Sequence, residues 1–319
     1  MKNEKKEPLV ILTGPTAVGK TKLSIALAKA IGGEIISADS MQVYRRMDIG
    51  SAKIRPEEME GIPHYLIDVL DPTEEFHVVR FQQMAKEAFR EIRANGHIPI
   101  VAGGTGFYIQ ALLYDIDFTE NEAQTEIRAE LEELAAREGA EKLHELLAEK
   151  DPKAAEEIHP HNVKRVIRAL EFYRLTGKQI SGHNEEQKGK ESPYNFAYFV
   201  LNDERARLYD RIDARVDQMM EEGLLQEVEG LKAEGLRRGM VSMQGLGYKE
   251  LLAFLDGECS LEEAVRVLKR DTRHFAKRQL TWFRRERDVI WLDRQRFGSD
   301  DGAILEEMLR ILKEKEILS

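Results

Sequence analysis

One cysteine in 319 residues, Cys259, leaves the chain without an internal partner for a disulfide. A disulfide framework and a multi-cysteine zinc site are both excluded, and a lone packing thiol fits a reducing compartment. Also lacking is an apolar run of the roughly 20 residues needed to cross a bilayer. Residues 1–8, MKNEKKEP, are charged, and the apolar run after them ends at Gly14, so neither a signal peptide nor a membrane anchor is expected there. The expected species is a cytoplasmic monomer. No internal repeat or low-complexity tract is visible. A net positive charge is lacking too, since the formal balance is −10, which taken alone argues against a nucleic-acid partner.

The average hides an asymmetry. Residues 118–149 carry ten acidic against three basic side chains, whereas residues 260–287 carry nine Lys and Arg against four acidic ones. In the second segment Arg266, Lys269, Arg270, Arg273, Lys277 and Arg278 recur at helical spacing with Val265, Leu268 and Phe275 between them. One face is therefore cationic and another apolar. Such a face is either solvated helix surface or a contact for a phosphate backbone.

A chain this long with 42% hydrophobic residues can bury a large core and exceeds the usual size of a single one, which predicts two domains. LVILT (9–13), EIISA (34–38), HYLIDV (64–69) and IPIVAG (98–103) read as buried strands, with amphipathic helices over 21–31 and 80–94. That alternation predicts a parallel α/β sheet. From about residue 120 to 178 strands vanish, and Glu-, Lys-, Leu- and Ala-rich helices take over, with Gly177 as a helix stop. GHNEEQKGKESP (182–193) has the composition of a mobile loop, after which NFAYFVL (195–201) and VIWLD (289–293) read as strands returning to the sheet. The predicted organisation is a core over 1–117, a helical insertion over 118–192 and the rest of the core with C-terminal helices over 193–319.

Gly14, Pro15, Thr16, Ala17, Val18, Gly19, Lys20 and Thr21 form a glycine-rich loop between a predicted strand and a predicted helix. Phosphate oxygens need a ring of backbone N–H groups, which a loop with little side-chain bulk can present, and a helix N-terminus adds its positive end. Lys20 is placed to reach a terminal phosphate, and the Thr21 hydroxyl to ligate Mg²⁺. Kinases, ATPases and GTPases all use such loops, so the loop alone names no reaction. The second strand ends in Asp39, Ser40, Met41 and Gln42, at the sheet edge where open α/β folds bind ligands. Asp39 either caps the following turn or takes a proton from an incoming nucleophile. At the end of IPIVAG, Gly103, Gly104 and Gly106 either expose backbone or serve only a tight turn, and the Thr105 hydroxyl can meet a phosphate oxygen.

Seven segments in order, GPTAVGKT, ISADSMQVYRRMDIGSAKI, PHYLIDVLDP, IPIVAGGTGFY, RIDARVDQMM, GYKE and HFAKRQLTWFRR, closely resemble the tRNA dimethylallyltransferase family, also called tRNA isopentenyltransferases. The resemblance spans about residues 9–293. It implies an α/β fold, a P-loop parallel-sheet core domain with an inserted all-helical domain. It also implies transfer of the dimethylallyl group of dimethylallyl diphosphate to N6 of the adenosine 3′-adjacent to the anticodon of tRNA, releasing diphosphate. On this reading residues 14–21 cradle the diphosphate, Thr21 holds Mg²⁺, and Lys20, Thr105 and Arg215 meet the leaving group. Asp39 takes the N6 proton. Met41 and Gln42 line the adenine end beside Asp39 and Ser40. Arg128 and the run Asn162, Val163, Lys164, Arg165 and Val166 contact the anticodon stem-loop. Two rivals remain: a small-molecule P-loop kinase, which would show lid arginines and a nucleoside-base pocket, and a nonenzymatic RNA-binding protein, which would leave the phosphate loop and Asp39 idle.

Overall fold

The computed structural model describes residues 6–118 and 126–318, apart from the side chain of Lys188. The chain forms two compact units, one of residues 1–113 with 193–319 and one of residues 114–192.

The larger unit is built on six parallel strands, β1 (Glu7–Thr13), β2 (Gly33–Ala38), β3 (His64–Tyr65), β4 (Ile98–Gly103), β5 (Tyr194–Asn202) and β6 (Val289–Asp293), in the order β3-β2-β4-β1-β5-β6. Val10, Ile11 and Leu12 of β1 and Ile35 and Ile36 of β2 are all buried. A parallel sheet covered on both faces needs apolar side chains pointing both ways, so these strands read as continuous rather than alternating apolar runs. Each fully buried leucine or isoleucine contributes about 1.5–3 kcal/mol. α1 (Lys20–Ile31) follows β1, α2 (Val78–Ala94) precedes β4, and α3 (Gly106–Leu113) follows it. The register pairs Thr13 with both Gly103 and Val200, and Ala38 with Gly103. One sheet edge therefore releases the glycine-rich loop, the Asp39 segment and the Gly104 turn side by side.

The 64–69 strand is shorter than its sequence predicts. Only His64 and Tyr65 pair with β2, because Leu66 and Asp68 take left-handed backbone (φ 65° and 55°) and turn the chain out of the sheet. The N–H groups of Asp68 and Val69 donate instead to the carbonyls of Gln42 and Val43.

The smaller unit contains α4 (Glu126–Glu138), α5 (Ala140–Lys150), α6 (Pro152–Glu157), α7 (Val163–Thr176) and α8 (Ile180–Gly189). Leu131, Leu143, Leu147, Val166 and Leu170 form its core. Its boundary falls four residues before the expected 118, and residues 119–125 of the acidic segment lie outside the described residues. The expected loop over 182–193 is largely α8. Composition is overridden by tertiary contacts: the N–H and hydroxyl of Ser181 donate to the buried Asp151 carboxylate at 2.9 and 2.6 Å, and Gln179 Nε2 donates to the Lys150 carbonyl. The chain returns through β5 to α9 (Arg205–Glu221), α10 (Leu224–Ala233), α11 (Tyr248–Leu255), α12 (Leu261–Phe283) and, after β6, α13 (Asp301–Glu314). Among the described residues no helix is long and apolar enough to cross a membrane.

Candidate active site

The loop after β1 is fixed by its glycines and by distant side chains. Gly14 has φ +146°, and a Cβ there would sit 2.3 Å from the Leu201 carbonyl oxygen, so only glycine fits. Helix α1 starts after Gly19 with no side-chain cap and no acidic residue in its first turn. Its first N–H groups and the positive end of its dipole are thus uncompensated by side chains, which suits an anion. The Thr16 N–H is committed elsewhere: it donates at 2.8 Å to Gln279 Oε1, while Gln279 Nε2 donates at 2.9 Å to the Gly104 carbonyl. Gln279, buried on α12, thus staples the glycine-rich loop to the turn after β4. Lys20 Nζ donates to the carbonyls of Gly14 and Pro15 at 3.0 and 2.8 Å.

A cleft of about 530 Å³ opens at this edge. Thr16, Ala17, Gly19, Lys20 and Thr21 form one wall; Asp39 and Gln42 another; Arg211, Arg215 and Gln218 of α9 a third. Ile35, Ile54, Ile67 and Ala102 add aliphatic surface. Three charges dominate. Burial, and then the positive charge of Arg215, pull Lys20 down to about 8 against the opposing effect of Asp39. Burial likewise lowers Arg215, again opposed by Asp39. Asp39 Oδ1 accepts the N–H groups of Met41 at 2.8 Å and Gln42 at 3.3 Å, so the turn-capping role is real. Its Oδ2 has no hydrogen-bond partner among the described residues, so the two roles assigned to Asp39 are compatible.

Not every expected residue reaches the cleft. Gly14, Pro15 and Val18 shape the loop from behind, and Val18 is fully buried. Ser40 and Met41 lie beside the cleft wall, Met41 packing so closely on Gly245 that a Cβ there would be 2.5 Å from Met41 Cε. Thr105 immediately precedes α3, its carbonyl accepting the N–H groups of Tyr108 and Ile109. Its hydroxyl makes no hydrogen bond among the described residues. Gly104 and Gly106 are buried against Gln279 and Trp282, so their small size serves packing and not exposed backbone. Sequence reasoning missed the aliphatic wall, Arg211, Gln218 and Gln279. Of these, Arg211 and Gln218 lie inside RIDARVDQMM and Gln279 inside HFAKRQLTWFRR, two of the segments that carry the resemblance.

The proposed nucleic-acid contacts divide in the same way. The Val166 side chain is buried in the core of the smaller unit and is not exposed for contact with a ligand. Val163 packs against the same core. Asn162, Lys164 and Arg165 are exposed, and neither cation has an ion pair among the described residues. Arg128 donates to the buried Glu171 carboxylate at 2.6 Å. Loss of solvent, and then the charges of Arg128 and Arg165, lower the neighbouring Arg168, opposed by Glu171, so the three guanidinium groups feel one another's charge. On α12, Arg266, Lys269, Arg270 and Arg273 are neutralised by Glu263, Asp217, Asp271 and Asp213. Lys277, Arg278 and Arg285 have no ion pair among the described residues and line a cleft of about 370 Å³ with His274, Thr281 and Trp282. The effective positive charge is confined to the C-terminal third of the expected stripe.

Near that end burial pushes the Glu286 carboxyl up to about 7, while Gln110 Nε2 donates to its Oε1 at 3.2 Å. A folded-state value above the ordinary 4.5 means that the native protein binds the extra proton between about pH 4.5 and 7. Stability from this group therefore falls as pH rises through that window. Glu286→Gln keeps the acceptor without the charge, so its stability relative to the parent should improve between pH 5 and pH 8. Urea midpoints at the two pH values check this, and an unchanged difference would contradict it.

The parallel α/β core carries a glycine-rich loop and a facing carboxylate at one sheet edge, and a helical unit is inserted between β4 and β5, an architecture that its family match identifies as that of a transferase. The IPP transferase family matches residues 42–286, and the isopentenyl transferase family matches residues 8–75. The chain is 67% identical over 312 residues, covering 98% of itself and 99% of the relative, to the tRNA dimethylallyltransferase of Lachnoclostridium phytofermentans. It superimposes on the full-length tRNA isopentenylpyrophosphate transferase of Bacillus halodurans with a TM-score of 0.73 at 48% identity, covering 98% of both chains. A eukaryotic dimethylallyltransferase solved acting on tRNA gives a TM-score of 0.79 at 32% identity, over 90% of this chain and 74% of that one. The chain belongs to the tRNA dimethylallyltransferase family.

Proposed function

We propose that the chain transfers the dimethylallyl group from dimethylallyl diphosphate to N6 of the adenosine 3′-adjacent to the anticodon in tRNA. The observation that carries this reading is one cleft holding a glycine-rich loop, three cations, a carboxylate and an aliphatic wall. The diphosphate lies on the loop against Lys20 and Arg215, and the five-carbon chain lies against Ile35, Ile54 and Ile67. As N6 attacks, the bond from carbon to the diphosphate oxygen breaks and its electron pair leaves with diphosphate. Lys20, Arg215 and the loop N–H groups stabilise that charge as it develops. The N6 proton passes to Asp39, which matters because the lone pair of an exocyclic adenine nitrogen is delocalised into the ring. The Thr105 hydroxyl is a further donor to the leaving group.

The donor set suits Mg²⁺. The Thr21 hydroxyl is a hard oxygen ligand, and no cluster of three or more His, Cys, Asp or Glu is found among the described residues. A Mg²⁺ there would be held by the Thr21 hydroxyl and otherwise by substrate oxygens and water, as Mg²⁺ commonly is. It would supply neutralisation of charge on the leaving group.

A small-molecule kinase is disfavoured by the aliphatic wall, which fits a prenyl chain better than a purine. Calorimetric titration separates the two, because this cleft should bind dimethylallyl diphosphate more tightly than ATP, and the reverse order would favour the kinase.

An adenosine stacked in the anticodon loop must be extruded before N6 can be alkylated. Docking rests on local cations despite the net charge of −10, since the Debye length of about 8 Å at physiological salt screens distant acids. Replacing Lys164 and Arg165 together by Ala should lower the slope of log tRNA affinity against log salt by about one to two units. Dimethylallyl diphosphate affinity should be unaltered. An unchanged slope would move the docking surface to the cationic cleft of residues 274–285 at the C-terminal end of α12.

A further inference from the structure

The segment between β2 and β3 supplies Gln42, Ser51, Ala52 and Ile54 to the cleft, and its residues 42–45 are held by backbone hydrogen bonds to residues 68–70. Residues 48–50 have a separate anchor, a carboxylate from elsewhere. Glu227, on α10, accepts the N–H groups of Asp48 and Ile49 on Oε2, at 2.9 and 2.7 Å, and that of Gly50 on Oε1 at 3.1 Å. The fully buried Tyr248 donates its hydroxyl to the same Oε1 at 2.7 Å. Gly50 lies against that ring so closely that a Cβ would sit 2.6 Å from Tyr248 Cζ. Tyr248 opens α11 in the GYKE segment, which has no part in the chemistry above.

From this anchor the contacts run on toward the reacting groups. The carbonyls of Ser51 and Ala52 accept from Gln42 Nε2 at 3.4 and 3.3 Å, Gln42 Oε1 accepts the Ser37 hydroxyl at 3.3 Å, and the Gln42 N–H donates to Asp39 Oδ1. Neither Glu227 nor Tyr248 lines the cleft. We propose that Glu227, oriented by Tyr248, is a positioning residue: it gathers three consecutive loop N–H groups and so fixes the Gln42 and Asp39 side of the cleft. The inference rests on the prenyl-transfer reading above. Bonds from N–H groups to an ionised carboxylate are about twice as strong as neutral ones. A glutamine in place of Glu227 loses the charge and turns one amide NH₂ toward donors.

The test uses the full chain with Glu227→Gln, Tyr248→Phe and the double variant, with tRNA varied up to saturation at saturating dimethylallyl diphosphate. A misplacement of about 1 Å can cost about 100-fold in rate, so Glu227→Gln should lower kcat by about 10- to 100-fold. Its KM for tRNA should hold within about two-fold, since the cationic contacts that set tRNA affinity lie elsewhere. Tyr248→Phe should act in the same direction by about several-fold, and the double variant should be little worse than Glu227→Gln, as expected for two groups in one network. Amide hydrogen exchange at residues 48–50 should accelerate in Glu227→Gln while β1 and β4 keep their protection. Unchanged kcat, or exchange raised throughout the core, would overturn the positioning role. Exchange needs no turnover, so a folded parent enzyme that fails to prenylate tRNA would refute the functional reading while the exchange result still judges the anchor.

Discussion

Asp39→Asn should lower the single-turnover rate of prenyl transfer by about 10²- to 10⁴-fold, the usual contribution of a general base, while tRNA and dimethylallyl diphosphate still bind. Asparagine is the more discriminating replacement. Asp39 Oδ1 holds the N–H groups of Met41 and Gln42, so Asp39→Ala removes both the base and the turn, each bond contributing about 1 kcal/mol. An amide oxygen keeps the turn and cannot take the N6 proton. Both variants should be slow, with Asp39→Ala also less stable to urea. Near-normal single-turnover chemistry in Asp39→Asn would reduce Asp39 to a turn former.

Lys20→Ala and Arg215→Ala should each slow transfer by about 10²- to 10³-fold, the range for deleting one donor to a developing oxyanion, and should weaken dimethylallyl diphosphate binding. Lys20 and Arg215 both line the cleft, and the Arg215 charge contributes, after burial, to the lowering of Lys20. Two like charges held together make sense where a strongly anionic group is bound between them. Removing Arg215 should therefore return Lys20 toward its ordinary value of 10.5. Titration calorimetry and single-turnover rates check the pair, and a folded variant with parental kinetics would remove its residue from the site.

What could be read from the sequence follows the range of the forces involved. The glycine-rich loop was readable at once because Gly14 and Gly19 take positive φ within a few residues of Lys20, although the contacts that hold it, from Leu201 and Gln279, are distant in sequence. The buried strands β1, β2 and β4 announce themselves because a doubly covered parallel strand is apolar throughout. The end of β3 was not readable, because Asp68 and Val69 leave the sheet to pair with Gln42 and Val43. α8 was missed for a similar reason, its start being held by Asp151. The burial of Val166 was readable: Val163, Val166, Ile167 and Leu170 follow the i, i+3, i+4, i+7 pattern of a buried helix face. The neutralisation of Lys269 and Arg273 by Asp217 and Asp213 of α9 needed tertiary structure. So did Gln279 and Glu227, single polar residues whose partners lie more than 170 positions away.

The most direct test is to incubate unmodified tRNA with the enzyme, Mg²⁺ and either dimethylallyl diphosphate or ATP, digest the product and weigh its nucleosides. With dimethylallyl diphosphate, the adenosine 3′-adjacent to the anticodon should gain one five-carbon unit on N6, with one diphosphate released per modified nucleoside, and ATP should give no modified nucleoside. A folded enzyme that leaves this adenosine unmodified, or that transfers phosphate from ATP, would contradict prenyl transfer at this cleft.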